Sequence, residues 1–307
     1  MNIYVGLTDR TWFDFLRHRE APDEVNFWVP GKTITLPRLQ PGELFLFKLH
    51  KYNRIVGGGV FAHKSVYPIG LAWQAFEQNN GAKTEQELRR LVEQYRGEEA
   101  SHANYDIGCV ILTQPFFWEE NAWILSDAYW KAGTRQYKKH DVSTDIGRRL
   151  WDEVQTRMQA HPAIYADSTR RAERNRYGKP VLIAPRLGQG GFRAIITDVY
   201  GRKCAITQEK TLPVLQAAHI KPFHENGPND IQNGILLRAD LHGLLDSGYM
   251  TISPDYYLEI SKRIRDDFDN GEEYGRLHGK QLILPSRGDL RPSHEFIRWH
   301  NENKYRG

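Results

Sequence analysis

Apolar residues in the first half of this chain recur at two spacings, one for strands and one for helices. The segments "ELFLFKLH" (43–50) and "RIVGGGVFAHKSV" (54–66) are nearly continuous in apolar and β-branched residues, which predicts paired strands. The glycine triplet in the second marks a bulge, or a place where another backbone comes close. In "IGLAWQAFEQNNG" the residues Leu71, Ala72, Ala75 and Phe76 keep helical spacing, and a glycine closes the run. The segment "TEQELRRLVEQYRG" opens on a Thr-x-x-Glu capping box and stops at glycine. A buried strand running into an aromatic loop is expected in "IGCVILTQPFFW" (107–118), and a helix capped by Ser143 or Thr144 in "STDIGRRLWDEVQTRM".

Polar, arginine-rich sequence follows from about 160 to 180 and reads as an interdomain connection. Beyond it, "GQGGFRAIITDVYGRKCAIT" predicts a short helix with Phe192, Ile195, Ile196 and Val199 on one apolar stripe. A strand in "LPVLQAAHI", a loop to Asn233, a short strand "GILL" and a helix from about Asp240 to Ser247 come next. The remainder reads as a hairpin in "YMTISPDYYLEIS", an acidic turn and a C-terminal helix in "SHEFIRWHNENK", with no internal repeat anywhere.

Composition and charge narrow this picture. A chain of 307 residues, 40% hydrophobic and 26% charged, is ordinary for a globular protein and long enough for two domains. No apolar run approaches the roughly 18 residues of a membrane span, and the first residues lack a signal-peptide core. Two cysteines, Cys109 and Cys204, make neither a disulfide framework nor a four-cysteine zinc cluster, so a reducing cytoplasm is the expected compartment. The net charge of +4 is unevenly placed: residues 157–203 carry 10 Lys/Arg against 3 Asp/Glu, while the flanking segments are slightly acidic. That strip is either a solvated linker face or a contact for a polyanion.

The candidate chemistry lies in "AAHIKPFHENGPNDIQNGILLRADLHGLLDSG" (217–248). His219 ends a strand, Asn233 sits in a turn, and His242 and Asp246 lie four residues apart on one helical face. Phosphodiester hydrolysis needs water deprotonated on one side, the leaving oxygen stabilised on the other, and the phosphoryl charge neutralised. A neutral imidazole, with an ordinary pKa near ~6.5, is a suitable base. An aspartate in a helix's last turn opposes the macrodipole, so Asp246 is either a cation ligand or a cap of nearby amides at "DSG".

These residues, as "AAHIKPF…NGILLRADLHGLLDSGY", resemble the motif of the HNH, or ββα-metal, endonucleases, and "RLGQGGFRAIITDVYGRKCAIT" is similar to the lead-in of its restriction-type members. The likeness runs from Arg186 to about Tyr249. It implies His219 as general base, Asn233 as the orienting residue, His242 as metal ligand and Asp246 as a further ligand. One Mg²⁺ or Mn²⁺ per site is implied, with no structural zinc cluster. Ala218 stands where many relatives carry another ligand; Gln216, expected on the same strand face, is a weak substitute acting through water. Phosphate contacts are expected from Arg186, Arg193, Lys203 and Lys221, each of which also reads as a solvated surface charge. His224 and Glu225, in the intervening loop, are left outside the site.

The first half is aromatic-rich, and "PGELFLFKLHKYNRIVGGGVF" resembles the central strands of the PUA-like superfamily, which includes EVE, ASCH and SRA-type domains. That resemblance implies a barrel that reads a modified base by flipping it into an aromatic pocket, with Trp28, Phe117 and Trp118 as candidate walls. The expectation is therefore an α+β protein. A PUA-like β-barrel over 1–158, a basic connector over 159–185 and an HNH endonuclease domain over 186–307 would cut double-stranded DNA carrying modified cytosine. Double-strand cleavage would call for a homodimer or two binding events, and no membrane is involved. Two alternatives stay open: a nuclease acting on RNA or unmodified DNA, and a nucleic-acid-binding protein with a decayed site.

Overall fold

Leucine and phenylalanine alternate in "LFLFKL", and both sets are buried because both faces of the strand they form are covered. The computed structural model describes residues 1–307 apart from 21, 35–38, 97–103, 132, 135 and 161–184, and divides into two compact units, Met1–Gly188 and Gln189–Gly307. The first unit holds strands β1 (Asn2–Thr8), β2 (Glu24–Val29), β3 (Leu44–Leu49), β4 (Arg54–Pro68), β5 (Asp106–Phe117), β6 (Ile124–Leu125) and β7 (Tyr137–Asp141). Around them stand helices α1 (Arg10–Arg17), α2 (Ile69–Phe76), α3 (Glu85–Arg96) and α4 (Asp145–Ala160). The sheet order is β2-β5-β4-β3-β1-β7, with β6 added to β4; β1 and β3 are parallel and the other pairs antiparallel.

Leu44 and Leu46 join Ile3, Val5, Leu150 and Val154 under α4. Phe45 and Phe47 point the other way, against Phe27 and Trp12. The sheet curls far enough for the Phe27 ring on β2 to lie 6.4 Å from Tyr137 on the opposite edge strand β7. Yet no ladder joins β2 to β7 among the described residues, so the expected closed barrel is corrected to a curled, open sheet. The ladders of β4 are irregular: register shifts twice against β5 and once against β3. Its glycines are required there: a Cβ on Gly57 would lie 2.2 Å from the Phe116 carbonyl oxygen.

The predicted caps are present. Thr84 Oγ1 accepts from the Glu87 N–H while the Glu87 carboxylate accepts from the Lys83 N–H, and Thr144, rather than Ser143, caps α4 by accepting from the Gly147 N–H. The aromatic end of 107–118, expected as a loop, is strand as far as Phe117. The expected connector, 159–185, lies almost wholly outside the described residues.

The second unit begins with α5 (Gln189–Val199), packed on an antiparallel pair, β8 (Leu215–His219) and β9 (Gly234–Arg238). Helix α6 (Ala239–Asp246) follows directly, completing a ββα unit. Beyond it come the hairpin β10 (Met250–Ile252) and β11 (Leu258–Ile260), then α7 (Arg263–Phe268), α8 (Glu272–Gly275) and α9 (His294–Asn303). The acidic turn of the sequence reading is thus two short helices. One core joins Phe192, Ile196, Leu237, Leu241, Leu245 and Ile297, and Cys204 is a buried free thiol within it. Among the described residues no helix is long and apolar enough to cross a membrane.

Candidate active site

The site grows from the register of one hairpin. His219, the last residue of β8, pairs with Gly234, the first of β9. A Cβ on Gly234 would come within 2.3 Å of Ile196 Cδ1 and 2.9 Å of Phe192 Cε2, so glycine there lets α5 lie against the hairpin. Phe192 consequently stacks on the His219 imidazole, with ring centroids 4.0 Å apart and planes 9° from parallel.

The loop between the strands is held by Asn233, which is 0% exposed. Its Oδ1 accepts from the Lys221 N–H (2.8 Å), and its Nδ2 donates to the carbonyls of Lys221 (2.9 Å) and Pro228 (3.0 Å). The Ile220 N–H donates to the Asn233 carbonyl (2.9 Å), so one residue grips both ends of the loop. Asn229, inside that loop, places its Oδ1 2.8 Å from His219 Nε2. An amide oxygen only accepts; Nε2 therefore carries the proton and Nδ1 is the basic nitrogen. Burial pushes the His219 pKa below the ordinary 6.5, against the opposing bond to Asn229; the His242 charge lowers it further and Asp246 raises it.

The same device recurs on α6. His242 Nδ1 lies 2.7 Å from Gln216 Oε1, so Nδ1 donates to the amide oxygen and Nε2 is the nitrogen left for a proton or a metal. That nitrogen faces Asp246 Oδ2 at 3.3 Å. A lone pair set against a carboxylate oxygen is repulsive unless a proton or a metal cation lies between them. The nitrogen–oxygen donor set suits a divalent ion, and the spacing is near the roughly 3 Å between adjacent donors on an ion with ~2.1 Å bonds. No group of three or more His, Cys, Asp or Glu able to hold a metal occurs among the described residues.

The structure thus brings His219, Asn233, His242 and Asp246 into one ββα unit. Gln216 orients His242 directly, in place of the water-mediated ligand role weighed from sequence, and Ala218 is 0% exposed in the core. Lys221 lies beside the site with its Nζ 5.2 Å from the Trp299 ring centroid. Arg193 follows Phe192 on α5, Lys203 lies in the turn after α5, and Arg186 falls in the first unit. Asn229 was missed: a polar residue in a "GPND" turn carries no local signal beyond the turn itself.

In the first unit, Trp28 lines a cavity of about 280 Å³ together with Asp9, Trp12, Phe27, His50 and Tyr95. Phe117 and Trp118 do not line it. Phe117 packs on Phe13 and Phe47, and Trp118, 1% exposed, is core beneath α4. Two of the three expected pocket walls are therefore corrected to packing residues.

Residues 204–253 match the HNH endonuclease family and form an HNH endonuclease domain. No curated protein matches the chain. Among solved structures, the modification-dependent TagI restriction endonuclease is 13% identical, covering 92% of this chain and 76% of that one, with a TM-score of 0.27. The Type IV phosphorothioation-dependent restriction endonuclease ScoMcrA is 11% identical, covering 78% of this chain and 45% of that one, with a TM-score of 0.19. At those scores neither likeness carries an argument about this chain.

Proposed function

We propose that the chain is a divalent-metal-dependent DNA endonuclease whose first unit selects a modified base, a substituted cytosine, and whose HNH domain hydrolyses the backbone. One observation carries the catalytic half: each imidazole is pinned through one nitrogen by a side-chain amide oxygen, leaving the other nitrogen basic. His219 Nδ1 takes a proton from water, which attacks phosphorus as the bond to the opposite 3′ oxygen breaks; the 3′ alkoxide takes a proton from solvent, leaving 5′-phosphate and 3′-hydroxyl ends. Burial against Phe192 favours the neutral imidazole and Asn229 fixes it in plane; Asn233 holds the loop that carries Asn229. His242 and Asp246 are the residues that would hold Mg²⁺ or Mn²⁺, which supplies charge neutralisation at the phosphoryl and leaving oxygens when bound. Lys221, with Arg193 and Lys203, meets the flanking phosphates.

For the selective half, the support is the cavity of the first unit. Trp12, Phe27, Trp28 and Tyr95 give it aromatic walls suited to a flat ring, and Asp9 and His50 are polar groups able to read its edge. The Trp12 Nε1–H, on a residue 2% exposed, is buried with no hydrogen-bond acceptor among the described residues. Each HNH site cuts one strand, so a double-strand break takes a homodimer or two binding events.

The test is digestion of matched DNAs containing cytosine, 5-methylcytosine, 5-hydroxymethylcytosine or its glucosylated form, with Mg²⁺ or Mn²⁺. Preferential cutting of one modified DNA is expected. Equal cutting of all four removes the modified-base reading, cutting of RNA alone removes DNA as substrate, and wild-type activity no greater than that of His219→Ala removes catalysis. Asp246→Asn is expected to raise the metal concentration needed for half-maximal cleavage about 10–100-fold, with DNA affinity in chelator unchanged. An unaltered metal titration would make Asp246 structural.

A further inference from the structure

We infer that Phe223 is a nucleobase-stacking residue that opens the base step beside the phosphate served by His219. The inference rests on the nuclease reading above and adds to it a contact that neither the catalytic nor the metal-holding residues supply. Phe223 is 56% exposed, whereas Phe192, the other ring against His219, is 2% exposed. The Phe223 and His219 ring centroids lie 6.4 Å apart, so this apolar surface is presented to solvent at the edge of the base.

The backbone that carries the ring is also held. Phe223 opens a single 3₁₀ turn, Phe223–Glu225, that follows Pro222 and ends at Asn226 in the left-handed region (φ 61°). The Pro222 carbonyl accepts from the N–H groups of Glu225 and Gly227, and the Phe223 carbonyl from Asn226. A Cβ on Gly227 would lie 1.8 Å from the Lys221 carbonyl oxygen, so the knuckle closes that tightly only with glycine. Asn233 fixes Lys221 at the start of the loop and Pro228 at its end, and Lys304 reaches Glu225 at 3.7 Å. Lys221, two residues before Phe223 with its Nζ over Trp299, and the exposed His224, the next residue, are the basic residues of this stretch of the loop.

An exposed aromatic on a braced loop that also carries basic residues is a surface able to stack on a base while a cation of the loop meets its phosphate. Hydrophobic burial does not explain the position, since more than half of the side chain remains in water. A docked base would cover it.

Phe223→Ala and Phe223→Tyr, made in the full chain, separate this role from simple shielding of His219. Affinity is measured in chelator, where no cutting occurs, on the DNA that the wild type cuts. Alanine is expected to weaken binding about tenfold or more, and tyrosine to preserve it. With 2-aminopurine beside the mapped cut, fluorescence should rise on binding wild type or Phe223→Tyr and stay low with Phe223→Ala, at unchanged thermal stability. Wild-type affinity or an undiminished 2-aminopurine signal in Phe223→Ala overturns the inference. A shifted pH–rate profile at unchanged affinity also overturns it, because the ring would then act only by burying His219. Should the wild type cut no nucleic acid, the nuclease reading falls with it; should it cut while Phe223→Ala binds normally, only the stacking role falls.

Discussion

His219→Ala is expected to lower the single-turnover rate of phosphodiester hydrolysis by about 10²–10⁴-fold, the usual contribution of a positioned base, while DNA affinity in chelator stays near that of the wild type. The imidazole is partly buried and its stacking partner Phe192 is anchored in the core, so the substitution removes a base without dismantling the hairpin. The pH dependence is a second signature. In the proposed reaction the ring must be neutral, and burial holds the folded pKa below 6.5, so the acid limb of the rate profile should fall below the ordinary histidine value, with a plateau above it. Stability follows the same sign: the contribution from a ring kept neutral is complete above the unfolded pKa and is lost as pH falls through the lowered folded value. Asn229→Asp replaces the amide oxygen on Nε2 with a carboxylate, which favours the imidazolium and should move the limb upward. Single-turnover rates from about pH 5 to 8 decide it: a limb that stays put in Asn229→Asp would detach His219 from the rate.

Much of the site was legible because its signals are local. The strand-ending His219, the turn residue Asn233 and the i, i+4 pair His242/Asp246 each belong to an element that its own neighbours specify. Orientation was less legible. Gln216 and Asn229 act through side-chain contacts across 26 and 10 residues, and nothing adjacent to either marks it. In the first unit, the strands of 43–50 and 54–66 stood out, whereas β7, "YKKHD", has no apolar alternation and is strand because β1 offers it an edge. The β4 ladders shift register opposite Gly57, between Gly58 and Val60 and again between Phe61 and His63, whereas sequence marks only a bulge at the glycines. Phe116–Phe117–Trp118 looks alike whether it fills a core or lines a pocket. The extension of β5 decides it, because alternation puts Phe116 and Trp118 together under α4.

Asn233→Asp is expected to be the most destabilising near-isosteric change in the second unit. Asn233 is 0% exposed and serves one donor and two acceptors of the loop backbone. A carboxylate still accepts from the Lys221 N–H, but it turns an oxygen towards the Lys221 and Pro228 carbonyls, where an N–H₂ donated. Each buried partner left unsatisfied costs about 1–3 kcal/mol, so losing both donated bonds costs about 2–6 kcal/mol before charge repulsion is counted. Protonation restores one donor. The folded pKa of the introduced carboxyl is therefore raised, and the variant's stability is greatest below the unfolded carboxyl pKa and is lost as pH rises through the folded one. Unfolding of the full chain, followed in urea at about pH 5 and pH 8, should place the variant closer to wild type at the lower pH. Cleavage should fall along with stability, since the loop that Asn233 closes carries Asn229, Lys221 and Phe223. Equal urea midpoints for variant and wild type at both pH values would mean that the loop is held by its own turns, and that Asn233 does not aim the base.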